Sequence, residues 1–99
     1  MSTGDRISDG PILAAIAVRL SITRQVVGLA QGEFAKRAGI AVNTYNQYEH
    51  AKKRPSLENA IALCDAYDLT LDWIYRGDQS GLPYRMADAI KALRAARGG

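Results

Sequence analysis

Residues that build most catalytic and metal centres are scarce in this chain. Its 99 residues hold one cysteine, Cys64, and one histidine, His50. A lone cysteine excludes an internal disulfide and a cysteine-based zinc site, and it fits a reducing, cytoplasmic setting. Neither a glycine-rich phosphate loop nor a metal-spaced cluster is present, so no enzyme activity and no cofactor is expected. No apolar run is read as approaching membrane-spanning length. Residues 1–10 are acidic and polar without the apolar core of a signal sequence, so no membrane partner is expected. Excess charge is also slight: the formal net charge of +3 does not by itself point to a nucleic acid.

What is present is enough apolar material for one core. An apolar fraction of 47% with 23% charged residues is that of a folded chain, and the length suits a single domain. Residues 1–10 read as a flexible arm. Asp9-Gly10-Pro11 is a helix-start signal, and a first helix is expected over residues 11–27, ending at Gly28. That helix has two apolar stripes, Leu13, Ile16, Leu20 and Val27 on one side, and Ile12, Ala15, Val18, Ile22 and Val26 on the other. Two stripes need two partners: the domain core, and either a later helix or a second subunit.

Residues 31–54 organise the rest. A second helix over residues 31–38 buries Phe34 and Ala35, and Gly39 supplies a left-handed turn. A third, residues 42–50, turns Tyr45 and Tyr48 to the core and Val42, Asn43, Asn46 and Gln47 outward. Short polar side chains followed by Lys52-Lys53-Arg54 fit base-edge hydrogen bonding beside phosphate contact. Asp65, Asp68, Asp72 and Asp78 come later, giving a basic and an acidic side. Ser56 caps a fourth helix, residues 57–67, with Leu57, Ala60, Ile61, Cys64 and Tyr67 expected inside. Thr70 caps a fifth, residues 71–76, with Trp73 and Ile74 buried, and Gly77 ends it. The domain proper is read as residues 11–77. A linker and C-terminal amphipathic helix fill residues 78–99, the helix over 83–96 with Met86, Ala89, Ile90 and Leu93 on one face.

The pattern Arg24…Gly28-Leu29-x-Gln31-x-x-Phe34-Ala35-x-x-Ala38-Gly39-Ile40…Tyr45-x-x-Tyr48-Glu49…Pro55-Ser56…Leu69-Thr70-Leu71-Asp72-Trp73-Ile74 resembles the phage-repressor/Cro, or lambda-repressor-like, helix-turn-helix domain. The likeness covers about residues 16–77. It implies an all-α fold of five helices, here with an added C-terminal helix, and double-stranded DNA as partner. It makes the third helix the recognition helix, with Val42, Asn43, Asn46 and Gln47 reading bases in the major groove. Gln31, Thr44, His50, Lys52, Lys53 and Arg54 take the phosphate-contact positions, and Arg24 and Glu49 match a structural ion pair. No arginine stands on the reading surface, so A·T-leaning sites are expected. Three positions depart from the family. Ala30 replaces a capping Ser or Thr, Ala51 replaces a glycine after the recognition helix and opens the question of the loop's geometry, and Phe34 replaces a leucine and needs compensating space.

The function expected from these residues is a transcriptional regulator of the repressor type, binding its operator as a homodimer through the first helix, the C-terminal helix or both. The alternative is an antitoxin-like or adaptor protein that uses the same domain with a protein partner. An exposed apolar face on the C-terminal helix would favour that alternative.

Overall fold

The computed structural model describes residues 9–97, apart from the side chain of Asp9. Among these residues six helices and no strands form: α1 (Asp9–Val27), α2 (Gln31–Arg37), α3 (Val42–Glu49), α4 (Leu57–Tyr67), α5 (Leu71–Arg76) and α6 (Tyr84–Ala96). The fold is all-α, as the sequence implies. The expected arm lies outside the described residues except at its end, where α1 begins two residues early, at Asp9. Pro11 then sits within the first turn, where its missing N–H costs no hydrogen bond.

Local chemistry sets the ends. At the close of α2 the Gly39 N–H donates to the Lys36 carbonyl and the Ile40 N–H to the Ala35 carbonyl, with Gly39 at φ 74° and Ile40 buried behind it. The same pair of bonds closes α3, Ala51 N–H to Tyr48 and Lys52 N–H to Gln47, but the left-handed position holds Ala51 at φ 58°. The glycine geometry is thus kept without glycine, at a strain of roughly 1 kcal/mol. Ser56 and Thr70 accept from the Asn59 and Trp73 backbone N–H groups as expected of N-caps. Ala30 caps nothing. Ala30→Ser is expected to stabilise the chain by about 1 kcal/mol, read as a rise of about 4–8 °C in thermal midpoint; no rise would mean that the start of α2 is already satisfied.

α1 is the axis against which α3, α5 and α6 pack, while α2 lies on α3 and α4 on α5. Ile16 and Leu20 from its first stripe and Ile22 from its second are buried. Phe34 finds its space by stacking flat on Tyr67, ring centroids 4.1 Å apart and planes within 2°, and the Tyr67 hydroxyl donates to the Phe34 carbonyl. Trp73 is fully buried. Its Nε1–H donates to Thr23 Oγ1, which itself donates to the Arg19 carbonyl, so a polar pair sits inside the core with both groups satisfied. Arg19 Nη1 donates to the Ile74 carbonyl, and its guanidinium lies where a side chain on Gly77 would begin.

Two expectations change. α4 faces the core with Ala60 and Leu63, not with Leu57 and Ile61, which are 57% and 43% exposed; Cys64 and Tyr67 are half-buried. α4 is apolar around much of its circumference, so periodicity allowed either rotation, and packing against α5 selects this one. Secondly, residues 10–27 of α1 form an 18-residue window of mean hydropathy 1.3, long and apolar enough by length and composition to cross a membrane. Its Ile16 and Leu20 nevertheless belong to the core, and Arg24 is held inside the chain. In this structure 28% of the window is buried, with Ile16 and Leu20 on the core side and Ile12 and Val18 left exposed.

The sixth helix settles onto α1. Ile90 is fully buried and Leu82 nearly so, both in the same core as Trp73, with Met86 and Leu93 packed against it.

Candidate nucleic-acid interface

α3 is held from behind and open in front. Tyr45 and Tyr48 are buried, and the Tyr48 hydroxyl accepts from Asn59 Nδ2. Of the expected readers, Val42, Asn43 and Gln47 are exposed on the other face, and Thr44 is half-buried. Lys52, Lys53 and Arg54 follow, all exposed. His50 is exposed at the C-terminal end of α3; its Nδ1 lies 2.8 Å from the Asn46 carbonyl, so in the tautomer that donates there Nε2 is left outward.

The ion pair expected between Arg24 and Glu49 is present and bidentate, Nε to Oε2 at 2.7 Å and Nη2 to Oε1 at 3.2 Å. It is the centre of a larger network. Glu49 also accepts from the Tyr45 hydroxyl at 2.5 Å and from Gln31 Nε2 at 2.9 Å, and Arg24 Nη1 donates to the Leu29 carbonyl. Burial pushes the Glu49 carboxyl up, but the hydrogen bonds from Arg24, Tyr45 and Gln31 outweigh it and hold the group below the usual carboxylate range. Burial, with the hydrogen bond to Glu49, drives the Tyr45 phenol far above its ordinary value and keeps it a donor.

Asn46 joins this network: its Nδ2 donates to Gln31 Oε1 at 2.8 Å. The polarity of the chain follows from its anchor. An ionised carboxylate only accepts, so Gln31 must turn its NH2 to Glu49 and its oxygen to Asn46. Asn46 is therefore half-buried and bridges α2 to α3, unlike its exposed neighbours Asn43 and Gln47. Gln31 and Asn46 lie 15 residues apart, and no local pattern in the sequence signals their pairing. Thr23, the polar partner of Trp73, lies within an apolar helix 50 residues away, and no local pattern signals that pairing either.

Among the described residues no group of three His, Cys, Asp or Glu side chains could hold a metal ion. The surface at α3 offers amides, a hydroxyl and cations.

A helix-turn-helix family model matches residues 20–74, more than half of the chain. Of the curated relatives, the cryptic phage CTXphi transcriptional repressor RstR of Vibrio cholerae is 30% identical over 57 residues, 58% of this chain and 51% of its own length. The HTH-type transcriptional regulator YobD of Bacillus subtilis is 34% identical over 56 residues, 57% of this chain and 50% of its own. The chain matches about half the length of each. No solved structure matches. The matched span runs from the second half of α1 into α5 and includes the whole network around Glu49, and the chain belongs to the Cro/C1-type helix-turn-helix family.

Proposed function

We propose that this protein is a sequence-reading DNA-binding transcriptional regulator that represses by occupying an operator, with α3 in the major groove. The observation that carries the reading is the two-sided construction of α3. Buried tyrosines and the Glu49 network fix one side, while Val42, Asn43 and Gln47 stand exposed on the other with three cations beyond them. Asn43 and Gln47 each bring a donor and an acceptor suited to the N6/N7 edge of adenine, and Val42 suits a thymine methyl. Gln31, paired to Asn46, sits at the start of α2, where an approaching phosphate meets backbone N–H groups. Thr44, His50, Lys52, Lys53 and Arg54 complete the backbone contacts. Asn46 serves here as the bridge that orients Gln31.

Reading two half-sites about one helical turn apart calls for a symmetric dimer. That part of the reading rests on DNA geometry. The apolar face of α6 is buried inside the chain and is not free to form the contact. The same burial removes the feature that would have favoured an antitoxin-like or adaptor role. A cytoplasmic location follows from the proposed work on DNA.

Selection from random duplexes is expected to return a near-palindrome rich in A·T pairs. Asn43→Ala with Gln47→Ala should then lower discrimination by about 2–4 kcal/mol, roughly 30- to 1,000-fold, and leave the salt dependence intact. Lys52→Ala with Lys53→Ala should weaken all sequences alike and reduce the slope of log affinity against log salt by about 2. Equal binding of all duplexes at moderate salt, or exchange of the two phenotypes, would overturn the assignment.

A further inference from the structure

A second surface lies on α1 and α6. Val18 and Ile22 of α1 and Arg94 and Arg97 of α6 line a cavity of about 370 Å³. Its floor is apolar and its α6 wall is cationic. Arg94 is fixed in place by lying over the Trp73 ring, 5.5 Å from the centroid. Neither Arg94 nor Arg97 forms an ion pair among the described residues. A third cation stands close by: Arg19 is pushed below its ordinary value by burial and by the charge of Arg94. Cations gathered without a carboxylate repel one another, and an anionic neighbour relieves that cost.

The cavity does not end at its rim. Ile22, Val18, Ala15 and Ile12 continue along α1 at three- and four-residue spacing, Val18 being 47% and Ile12 41% exposed. Ten residues of helix span about 15 Å, close to three turns. This is the second stripe of α1, of which α6 covers one end.

We propose that the cleft between α1 and α6, with the Val18–Ile12 stripe beyond it, is the docking surface for an acidic amphipathic helix of a partner protein. Such a helix lays apolar side chains at i, i+3, i+4 and i+7 on Ile12, Ala15 and Val18, with Ile22 closing the floor of the cleft. Its flanking carboxylates meet Arg94 and Arg97, whose planar guanidinium groups bind carboxylates in a two-pronged manner. A second copy of this chain fits less well, because a two-fold contact centred on the cleft places Arg94 and Arg97 against their own counterparts. A small ligand fills the cavity and leaves the stripe bare. An anionic bilayer presents no projection to enter a concave cleft.

A display library of amphipathic peptides of about 16 residues, roughly four helical turns, tests the proposal with the full chain as bait. Enrichment of Leu, Ile or Phe at helical spacing with flanking Asp or Glu is expected, with a representative enriched peptide binding saturably in fluorescence anisotropy. Arg94→Gln with Arg97→Gln should weaken that peptide on the order of tenfold, and so should Val18→Asn at its exposed position. Both variants should keep operator binding unchanged, which separates loss of docking from loss of fold and from any failure of the DNA reading. No enrichment, enrichment of basic peptides, affinity indifferent to both variants, or binding of phosphatidylglycerol vesicles in place of peptide would overturn it.

Discussion

Arg24→Met is expected to destabilise the chain by about 3 kcal/mol and to lower its thermal midpoint by roughly 12–24 °C. The cost comes from what is left behind. The Glu49 side chain is 5% exposed, and without Arg24 it keeps only Tyr45 and Gln31 as donors. Removing one member of a buried pair costs about 3–5 kcal/mol, and the lower end applies because Arg24 is itself 17% exposed. Arg24→Met with Glu49→Met removes both charges and should recover much of the loss, since two apolar side chains leave no charge stranded. A double variant as unstable as Arg24→Met alone would show that packing of the arginine stem, and not charge pairing, dominates.

The same carboxylate gives the experiment a pH axis. Its folded value lies below the usual carboxylate range, so its stabilising contribution is complete above the unfolded value, about 4.3, and is lost as pH falls through the folded value. In Arg24→Met the largest hydrogen-bonding contribution opposing burial is gone. The gap between wild type and variant should therefore be widest near neutral pH and close as pH falls through the folded value of the wild type. Chemical denaturation at several pH values measures it, and a gap constant with pH would remove Glu49 from the explanation. Operator affinity should fall together with stability, because Glu49 also orients Gln31, the phosphate contact at the start of α2.

Trp73→Ala should cost about 3–5 kcal/mol, enough to bring a domain of ordinary stability near to unfolding. Trp73 is fully buried between α1 and α6, bonded to Thr23 and covered by Arg94. Trp73→Phe separates the contributions. It keeps most of the apolar volume but loses the Nε1–H bond, while Thr23 still donates to the Arg19 carbonyl, so about 1–2 kcal/mol is expected. Urea titration followed by far-UV circular dichroism reads both, since the only tryptophan is the residue replaced. Equal losses for Ala and Phe would mean that the indole hydrogen bond outweighs the cavity.

How far the sequence reveals this molecule depends on the range of the interaction. Tyr45 and Tyr48 were legible as core because three-residue spacing beside a polar face leaves few alternatives. Gly39, Gly77, Ser56 and Thr70 were legible because turns and caps are local chemistry. Arg24 and Glu49, 25 residues apart, were read from the family pattern alone. The inner face of α4 was misread because Leu57, Ile61 and Leu63 are equally apolar and only α5 decides among them. The Gln31–Asn46 bond and the Thr23–Trp73 pair were invisible because each joins helices that meet only after folding. The cleft beside α6 belongs to that class too, since Val18 and Arg94 share no sequence neighbourhood.

Gly77 is constrained from two directions. Its φ of 79° suits a residue without a side chain, and an added Cβ would stand 2.9 Å from Arg19 Nε. Relieving the first constraint with asparagine worsens the second, and moving Arg19 aside gives up its hydrogen bond to the Ile74 carbonyl without easing the first. A side chain at this position therefore carries two costs at once, a left-handed strain of about 1 kcal/mol and the displacement of the Arg19 guanidinium from the Ile74 carbonyl, so the end of α5 and the middle of α1 are coupled through a residue that has no side chain.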